Sequence, residues 1–515
     1  MFSDKLDFYK KVVPEIFQQN KKAPEYAKVV IIGSGFGGAV TAFRLAQSGI
    51  ESVILERGFR WPKDDFRKIF TNETLPDGRG FWHKKDKFKG LNTFPVKVDD
   101  FCGVVDVTSY ENIDVWRGAC VGGGSLVYTG LMIQPERKYF DKIFMGNVDY
   151  DEMNDEFYPK VREMLNLNKI PDDIYNSPPF GHSRVWDNQS IKAGYEPYRV
   201  DSIFSKDILM KELKNECRPS AIVGESNLGN SNGAKFDLTQ NYLKYAEESG
   251  MVSIYPGQTV YSIHSEGDGF LIEVGNIDPE GLVIEKYNVR CDYLFLAAGS
   301  IGTSELLVKA KALDTISGLN EHIGKGWGSN GDVLASRSLS AIKGLVQASP
   351  VVSKLDDETS SEMPVSLVSV CVPGIPLDLT VVASLGMAFD LKNRGEFKYN
   401  ESNGSVNLLW PKNGNNEALD AVRKVNNNIA FKSGSIPGVP LLVPDVSAYF
   451  TVHPLGGAVL GLATDNYGRV LNTKKLYVMD GAVIPGSTGI SNPSLTIAAL
   501  AERNVRKIIE DDFIS

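Results

Sequence analysis

The chain is predicted to combine α/β and α+β architecture. A parallel-sheet domain is assembled from discontinuous segments, and a second domain carries a large mixed or antiparallel β-sheet with helices. Three observations predict this. The stretch from Lys28 to Glu56, KVVIIGSGFGGAVTAFRLAQSGIESVILE, reads as apolar strand, glycine turn, amphipathic helix and second strand, the order of a Rossmann-like βαβ unit. Buried strands of the same kind return much later, as DYLFLAAG at Asp292–Gly299 and KLYVMD at Lys475–Asp480. A chain of 515 residues also exceeds what one simple core supports, so two domains are expected.

Taken in order, residues 1–25 form an extension: a short amphipathic helix, then a Lys-rich linker, with no apolar run of signal-peptide length. In the βαβ unit, Gly33 permits the tight turn. Gly35 lets backbone approach a pyrophosphate seated on the helix-start N–H groups, and Gly38 lets helix pack on strand. Glu56 ends the second strand, where an acid accepts hydrogen bonds from a ribose diol. Trp61–Asp100, rich in Lys and Asp, reads as surface loops, and Arg117–Gln134 (RGACVGGGSLVYTGLMIQ) as a second glycine-rich turn. Pro135–Leu165 reads as mostly helical and Asp173–Asn227 as irregular. Tyr242–Gly250 reads as a helix end, followed by strands in MVSIYPGQTVYSIHS and GFLIEVG. After Asp292–Gly299 comes a helix through Leu307. Strands follow in Val333–Asn407, then a helix near Asn416–Asn427. Thr496–Glu510 is a closing amphipathic helix with basic residues in its later turns. The nucleotide domain is therefore expected from residues 26–135, 234–330 and 446–515, and the substrate domain from 136–233 and 331–445.

Composition excludes several classes. The net charge of −9 opposes non-specific nucleic-acid binding, which needs a basic surface. The least charged stretch, Met363–Phe389, is interrupted by Pro364, Pro373, Gly374 and Pro376. It reads as two buried strands, near Val365–Val372 and Leu379–Phe389, rather than a membrane span. Five cysteines, odd in number and without CxxC spacing, point to reduced thiols and a cytoplasmic protein. Neither they nor the five histidines show metal-ligand spacing, so no metal is expected. No protein partner can be read from the sequence.

A nicotinamide enzyme would continue its doubly wound sheet directly after the first βαβ unit. Here the chain leaves and returns late, which favours an extended FAD touched by several segments. The blocks IIGSGFGGAVTAFRL, VGGGSLVYTGL, LFLAAGSIGTSELLVKAK, HIGKGWGSNGD, HPLGGAVLGLATDNYGRV and LYVMDGAVIPGSTGISNPSLTIAALAERN span nearly the whole chain. They resemble the glucose-methanol-choline (GMC) flavin oxidoreductases, and within that family the bacterial cholesterol oxidases with non-covalent FAD.

The resemblance implies roles for particular residues. Gly33, Ser34, Gly35, Phe36, Gly37 and Gly38, with Glu56, would hold the ADP half of FAD. Gly122, Gly123, Gly124 and Ser125 would pass the pyrophosphate and lead to the flavin ring, near Tyr128. The backbone of Val260 would contact adenine. Gly299, Asp480 and Gly481 would lie at strand ends beside the ribityl chain and pyrophosphate. His453, opening HPLGG, and Asn492, in SNP, match the family's active-site positions beside the flavin. Alcohol oxidation removes a hydroxyl proton and a hydride from one carbon. An imidazole titrates in the range that suits the proton, and a carboxamide can stabilise the developing negative charge. No histidine lies in Gly118–Gln134, so the FAD is expected to dissociate.

The departures from the family concern the substrate pocket. The glutamate that cholesterol oxidases use to move a double bond falls on Leu379 or Thr380, neither of which shuttles protons. Tyr128 stands for an asparagine, Ser494 for an aromatic residue, and Ser491 is an extra residue before Asn492. The expected reaction is therefore oxidation of an alcohol on a hydrophobic sterol- or terpenoid-like substrate without isomerisation, with O2 or a quinone as acceptor. The alternatives are a quinone-linked dehydrogenase, a flavoenzyme of natural-product biosynthesis with redox-neutral chemistry, and a ligand-binding protein without catalysis.

Overall fold

The computed structural model describes residues 3–71, 76–82, 98–339, 342, 346–359, 363–371, 380–438 and 444–514. Its first sheet has five parallel strands. Their order is Val252–Tyr255, Ser52–Leu55, Tyr26–Ile32, the C-terminal half of Val283–Leu296, and Leu476–Val478. The register pairs Ile32 with Leu55 and Leu296, Leu55 with Tyr255, and Leu296 with Val478. All five strands thus end at one edge, and the residues that follow them become neighbours there. That edge is where open α/β sheets bind ligands. The N-terminal half of Val283–Leu296 extends the sheet through an antiparallel pair, Gly269–Ile277 and Gln258–Glu266.

Val29–Ile32 form an unbroken apolar run because the strand is buried on both faces. Helices Phe36–Gln47 and Ser494–Asp512 pack on one another against this core. Each fully buried Val or Ile contributes about 1.5–3 kcal/mol relative to exposure.

The second sheet is antiparallel. Its order is Ile436–Pro437, Asp332–Ser338, Val382–Ala388, Val365–Val370, Ser353–Asp357, Tyr198–Arg199, with Val446–Ser447 also pairing with Asp332–Ser338. Strand alternation divides its residues. Val333, Ala335, Val382 and Leu367 pack on helices Gly181–Lys192 and Asn416–Ser433. Leu334, Ser336, Ala383 and Leu385 face the other way, onto a cavity.

Several expectations need correction. Trp61–Asp100 is not a surface loop throughout: Trp61, Ile69, Phe70, Phe81, Trp82 and Val98 are buried in a second core with Tyr9, Val13 and Ile16 of the N-terminal extension. The many Lys and Asp residues hid these aromatics. Asp173–Asn227 contains helices Gly181–Lys192 and Lys206–Leu213. Pro178 and Pro179 lie in a short 3₁₀ turn just before the first of these, where a missing N–H costs little. Helix Asn416–Ser433 runs past Asn427. Its buried stripe continues through Ile429 and Ala430, so packing overrides the poor propensity of Asn426–Asn428. The two strands read in Met363–Phe389 appear as Val365–Val370 and Val382–Ala388, and residues 372–379 between them lie outside the described residues. Among the described residues no helix is long and apolar enough to cross a membrane.

Candidate active site

A cavity of about 970 Å³ opens along the C-terminal edge of the parallel sheet and continues beneath the antiparallel sheet. Its first part is walled by turns. Gly33 has φ +99°, and a Cβ there would stand 2.3 Å from the Ala297 carbonyl oxygen, so no other residue fits. Gly35 faces the cavity with no atom within 4 Å of where a Cβ would stand, as do Gly124 and Gly299. Ser34, Phe36 and Gly37 lie on the same wall, and Val260 faces it from strand Gln258–Glu266.

Glu56 is buried at this end, and burial pushes its carboxyl pKa up. Three donors offset that penalty. Its Oε2 accepts the Ser34 N–H at 3.0 Å and the Ser34 hydroxyl at 2.7 Å, and its Oε1 accepts the Gly58 N–H at 2.8 Å. The Ser34 Oγ in turn accepts the Gly122 N–H at 3.0 Å, tying the first glycine turn to the second.

Asp480 makes a similar link at the next strand end, with Gly481 beside it on the cavity wall. Its Oδ2 accepts the Gly299 N–H at 2.9 Å and the Thr303 hydroxyl at 2.5 Å, and its Oδ1 accepts the Ala482 N–H at 2.8 Å. Burial raises the Asp480 pKa to about 6.

Farther along, His453 and Asn492 reach the same cavity from distant segments. His453 follows strand Phe450–Thr451, which pairs with Asp114–Gly118. Its Nδ1 lies 2.8 Å from Oδ1 of Asp332, the first residue of strand Asp332–Ser338. The Oδ2 of Asp332 accepts the Thr451 hydroxyl at 2.9 Å and the Val452 N–H at 3.0 Å. The Asn492 carboxamide is held at both ends by one backbone segment: Nδ2 donates to Leu131 O at 2.7 Å, and Oδ1 accepts the Ile133 N–H at 3.0 Å. One N–H of its NH2 group remains for the cavity. The turn before Asp332 also holds the Asn492 loop. Asn330 Nδ2 donates to Ser491 O at 2.9 Å, and its Oδ1 accepts the Thr488 N–H at 2.8 Å.

The C-terminal region, residues 439–501, matches the family profile described as GMC oxidoreductase. The chain is 26% identical to a cholesterol oxidase of Mycobacterium tuberculosis, covering 93% of this chain and 90% of that one. It is 23% identical to a cholesterol oxidase of Acinetobacter baumannii, covering 92% and 93%. Among solved structures, pyridoxine 4-oxidase from Mesorbium loti superposes with a TM-score of 0.64 at 16% identity, over 94% of this chain and 99% of that one. These matches make the chain similar to the GMC oxidoreductases. It is an FAD-dependent oxidoreductase acting on CH–OH donors.

The geometry of the cavity fits FAD. Gly35, Gly124 and Gly299 present bare backbone to the first part of the cavity. Tyr128 lines the wall beside Phe36 with its ring centroid 5.8 Å away. The Tyr128 phenol oxygen is buried with no hydrogen-bond partner among the described residues, and burial drives its pKa well up. Such a group is costly unless a ligand supplies the partner.

Four residues expected at the site stand elsewhere. Gly38 is behind the wall, where a Cβ would meet the Gly33 carbonyl at 2.1 Å; it sets the helix–strand distance. Gly122 and Ser125 also stand back from the cavity: Ser125 Oγ donates to Gly122 O at 2.7 Å and accepts the Leu238 N–H at 3.2 Å. They shape the turn that presents Gly123 and Gly124, with one bond inside it and others that tie it to Ser34 and Leu238. Thr380 is off the wall, which is built instead by Val370, Cys371, Val381, Ala383 and Leu385, and Leu379 lies outside the described residues. Ser494 does line the cavity, at the start of the closing helix.

Asp332 was missed from sequence, although it closes the block HIGKGWGSNGD. An Asp leaving an Asn-Gly turn reads as ordinary turn chemistry. Asn330 (φ +56°) and Gly331 (φ +68°) do make that turn. The only available clue was that His453 needs a buried partner.

Proposed function

We propose that the protein oxidises a secondary alcohol on a bulky, apolar molecule of the sterol or terpenoid class to the ketone, with O2 as the final acceptor and hydrogen peroxide as the second product. FAD, when bound, supplies the hydride acceptor. The observation that carries this reading is the single continuous cavity. It has the glycine and Glu56 cradle at one end, His453 and Asn492 in the wall, and Leu334, Val370, Val381 and Leu385 beyond them. Aliphatic walls of this kind hold an apolar body, while a few polar groups orient its reacting end. The cholesterol oxidase relatives support the sterol class and the use of O2.

In this reading Glu56 holds the ribose of the ADP half and the Gly35 turn approaches the pyrophosphate. Asp480 anchors the N-terminus of helix Gly299–Ala312 beside it. Tyr128 lies at the flavin end. His453 takes the substrate hydroxyl proton, and the free N–H of Asn492 steadies the charge that builds on oxygen. The FAD is held without a covalent bond. Among the described residues, His453 is the only histidine on the cavity wall, and the Gly118–Gln134 segment contains none. Residues 26–135, 234–330 and 446–515 form the cofactor side, and 331–445 the substrate roof. Helices Arg137–Phe144 and Tyr158–Met164 belong to the cofactor side, since they share the parallel-sheet core.

The product is the unisomerised ketone. The carboxylates on the described wall are Glu56, Glu305 and Asp480, all from the cofactor side, so the described sheet roof offers no acid to shuttle a proton. The test is to mix holoprotein anaerobically with a panel of sterols and polycyclic alcohols, follow flavin bleaching, then admit air and measure peroxide. Flavin that stays oxidised with every member would overturn the substrate class. The appearance of a conjugated enone from cholesterol would overturn the missing isomerisation.

A further inference from the structure

We infer that Asp332 is a positioning residue. Its carboxylate locks His453 in the tautomer that carries hydrogen on Nδ1 and bares Nε2 to the cavity, and it holds the imidazolium formed when Nε2 takes the substrate proton. An ionised carboxylate can only accept hydrogen bonds. The 2.8 Å contact between Asp332 Oδ1 and His453 Nδ1 therefore requires hydrogen on Nδ1. That leaves the lone pair on Nε2, at the opposite edge of the ring, and Nε2 makes no hydrogen bond with any described residue.

The carboxylate is itself immobile. Asp332 is 1% exposed, and its second oxygen is occupied by the Thr451 hydroxyl and the Val452 N–H. The Thr451 Oγ also accepts the His453 N–H at 2.9 Å, so backbone and side chain of the histidine are tied to one acid. The two partners come from different layers. Asp332 starts a strand of the antiparallel sheet, and His453 follows a strand that pairs with Asp114–Gly118. The contact thus makes the imidazole's orientation depend on how the substrate roof sits over the cofactor side.

Other ionisable groups share the cavity. Arg117 comes from strand Asp114–Gly118, Glu305 and Lys309 from helix Gly299–Ala312, and Asp480, Tyr128 and Cys371 from elsewhere on the wall. Among the described residues Asp332 is the only carboxylate within ion-pair distance of His453. The step balances simply. The substrate O–H bond would break and its proton bond to Nε2, and FAD, when bound, would accept the hydride from the same carbon. The alcohol is oxidised by two electrons, and the imidazolium persists beside Asp332 until solvent takes the proton.

This inference rests on the alcohol-oxidising reading, but its test needs no substrate. Holoprotein labelled with 15N in the histidine rings is titrated by NMR, and the His453 signals are identified by their loss in His453→Gln. The expected result is an Nδ1–H tautomer in the native protein. In Asp332→Asn, with FAD retained, the Nδ1–H tautomer should lose its dominance, because a carboxamide can present either a donor or an acceptor to Nδ1. An Nε2–H tautomer in the native protein would overturn the proposal even if Asp332→Asn failed to fold. So would an Nδ1–H tautomer as dominant in Asp332→Asn, or in a folded Asp332→Ser, as in the native protein. Asp332→Glu should keep most of the Nδ1–H tautomer, which a merely structural role would not require. Failure of every alcohol to bleach the flavin would sink the substrate reading and leave the tautomer as measured.

Discussion

Ser34 and Glu56 close one end of the cavity through a 2.7 Å hydrogen bond from the serine hydroxyl to the carboxylate. The same oxygen receives the Gly122 N–H, so one side chain joins two glycine turns that are far apart in the chain. Ser34→Ala removes both contacts and leaves a buried acid with fewer donors. A hydrogen bond to a charged group is worth about 1.5–3 kcal/mol, so FAD affinity should fall by about ten- to a hundredfold. Glu56→Ala should fall at least as far, since it also loses the proposed ribose contact. Flavin fluorescence released on dilution measures both. Retention equal to the native protein would remove Glu56 from the ribose role.

His453→Ala should keep FAD and lose turnover by roughly 10²–10⁴, the range assigned to a positioned acid–base group. Neither the glycine turns nor Glu56 touch His453, so the absorbance of bound flavin should be nearly native. Rapid mixing with the alcohol that bleaches the native enzyme gives the rate. Native turnover in the variant would move the proton acceptor elsewhere.

Asn492→Asp is a sharper probe than alanine. The Leu131 carbonyl, 2.7 Å from Asn492 Nδ2, would then face a carboxylate oxygen with no hydrogen between them. The buried site loses a donor and gains a repulsion, which should cost at least about 1–3 kcal/mol. Chemical denaturation should show an earlier midpoint for Asn492→Asp than for the native chain. Equal midpoints would mean that the carboxamide is not held by the Leu131–Ile133 backbone.

Asp480 makes a signed prediction about pH. Its folded pKa, about 6, lies above the ordinary 3.8. The native state therefore binds this proton more tightly than the unfolded chain does. The resulting stability is fully present below about pH 4 and is lost as pH rises through 6, amounting to about 3 kcal/mol. Asp480→Asn removes that dependence. Denaturant midpoints of flavin-free native and variant proteins, compared from pH 4.5 to 7, should diverge with pH, and a constant difference would refute the shift.

Much of the cofactor side was readable because its constraints are local. A tight turn needs a glycine at Gly33, a helix packed close needs one at Gly38, and a central parallel strand must be apolar throughout. Those demands are met within one βαβ unit, so they leave a pattern in consecutive residues. The second sheet was readable only as low charge and β-branched content in Met363–Phe389. The buried aromatics of Trp61–Asp100 were hidden by the lysines and aspartates between them, because burial there depends on packing with Tyr9 and Phe101 rather than on any period.

The sequence by itself determined the glycine turn at Gly33–Gly38, the acid at Glu56 that ends the next strand, the scattering of sheet segments along the chain, and His453 and Asn492 as the polar residues to watch. Tertiary structure alone decided which groups those two touch. The partner of His453 comes from a strand of the other sheet, and both ends of Asn492 are fixed by backbone at Leu131 and Ile133. Such contacts depend on how layers stack and strands register. Pairing across layers imposes no spacing on neighbouring residues, so it leaves no trace in their order.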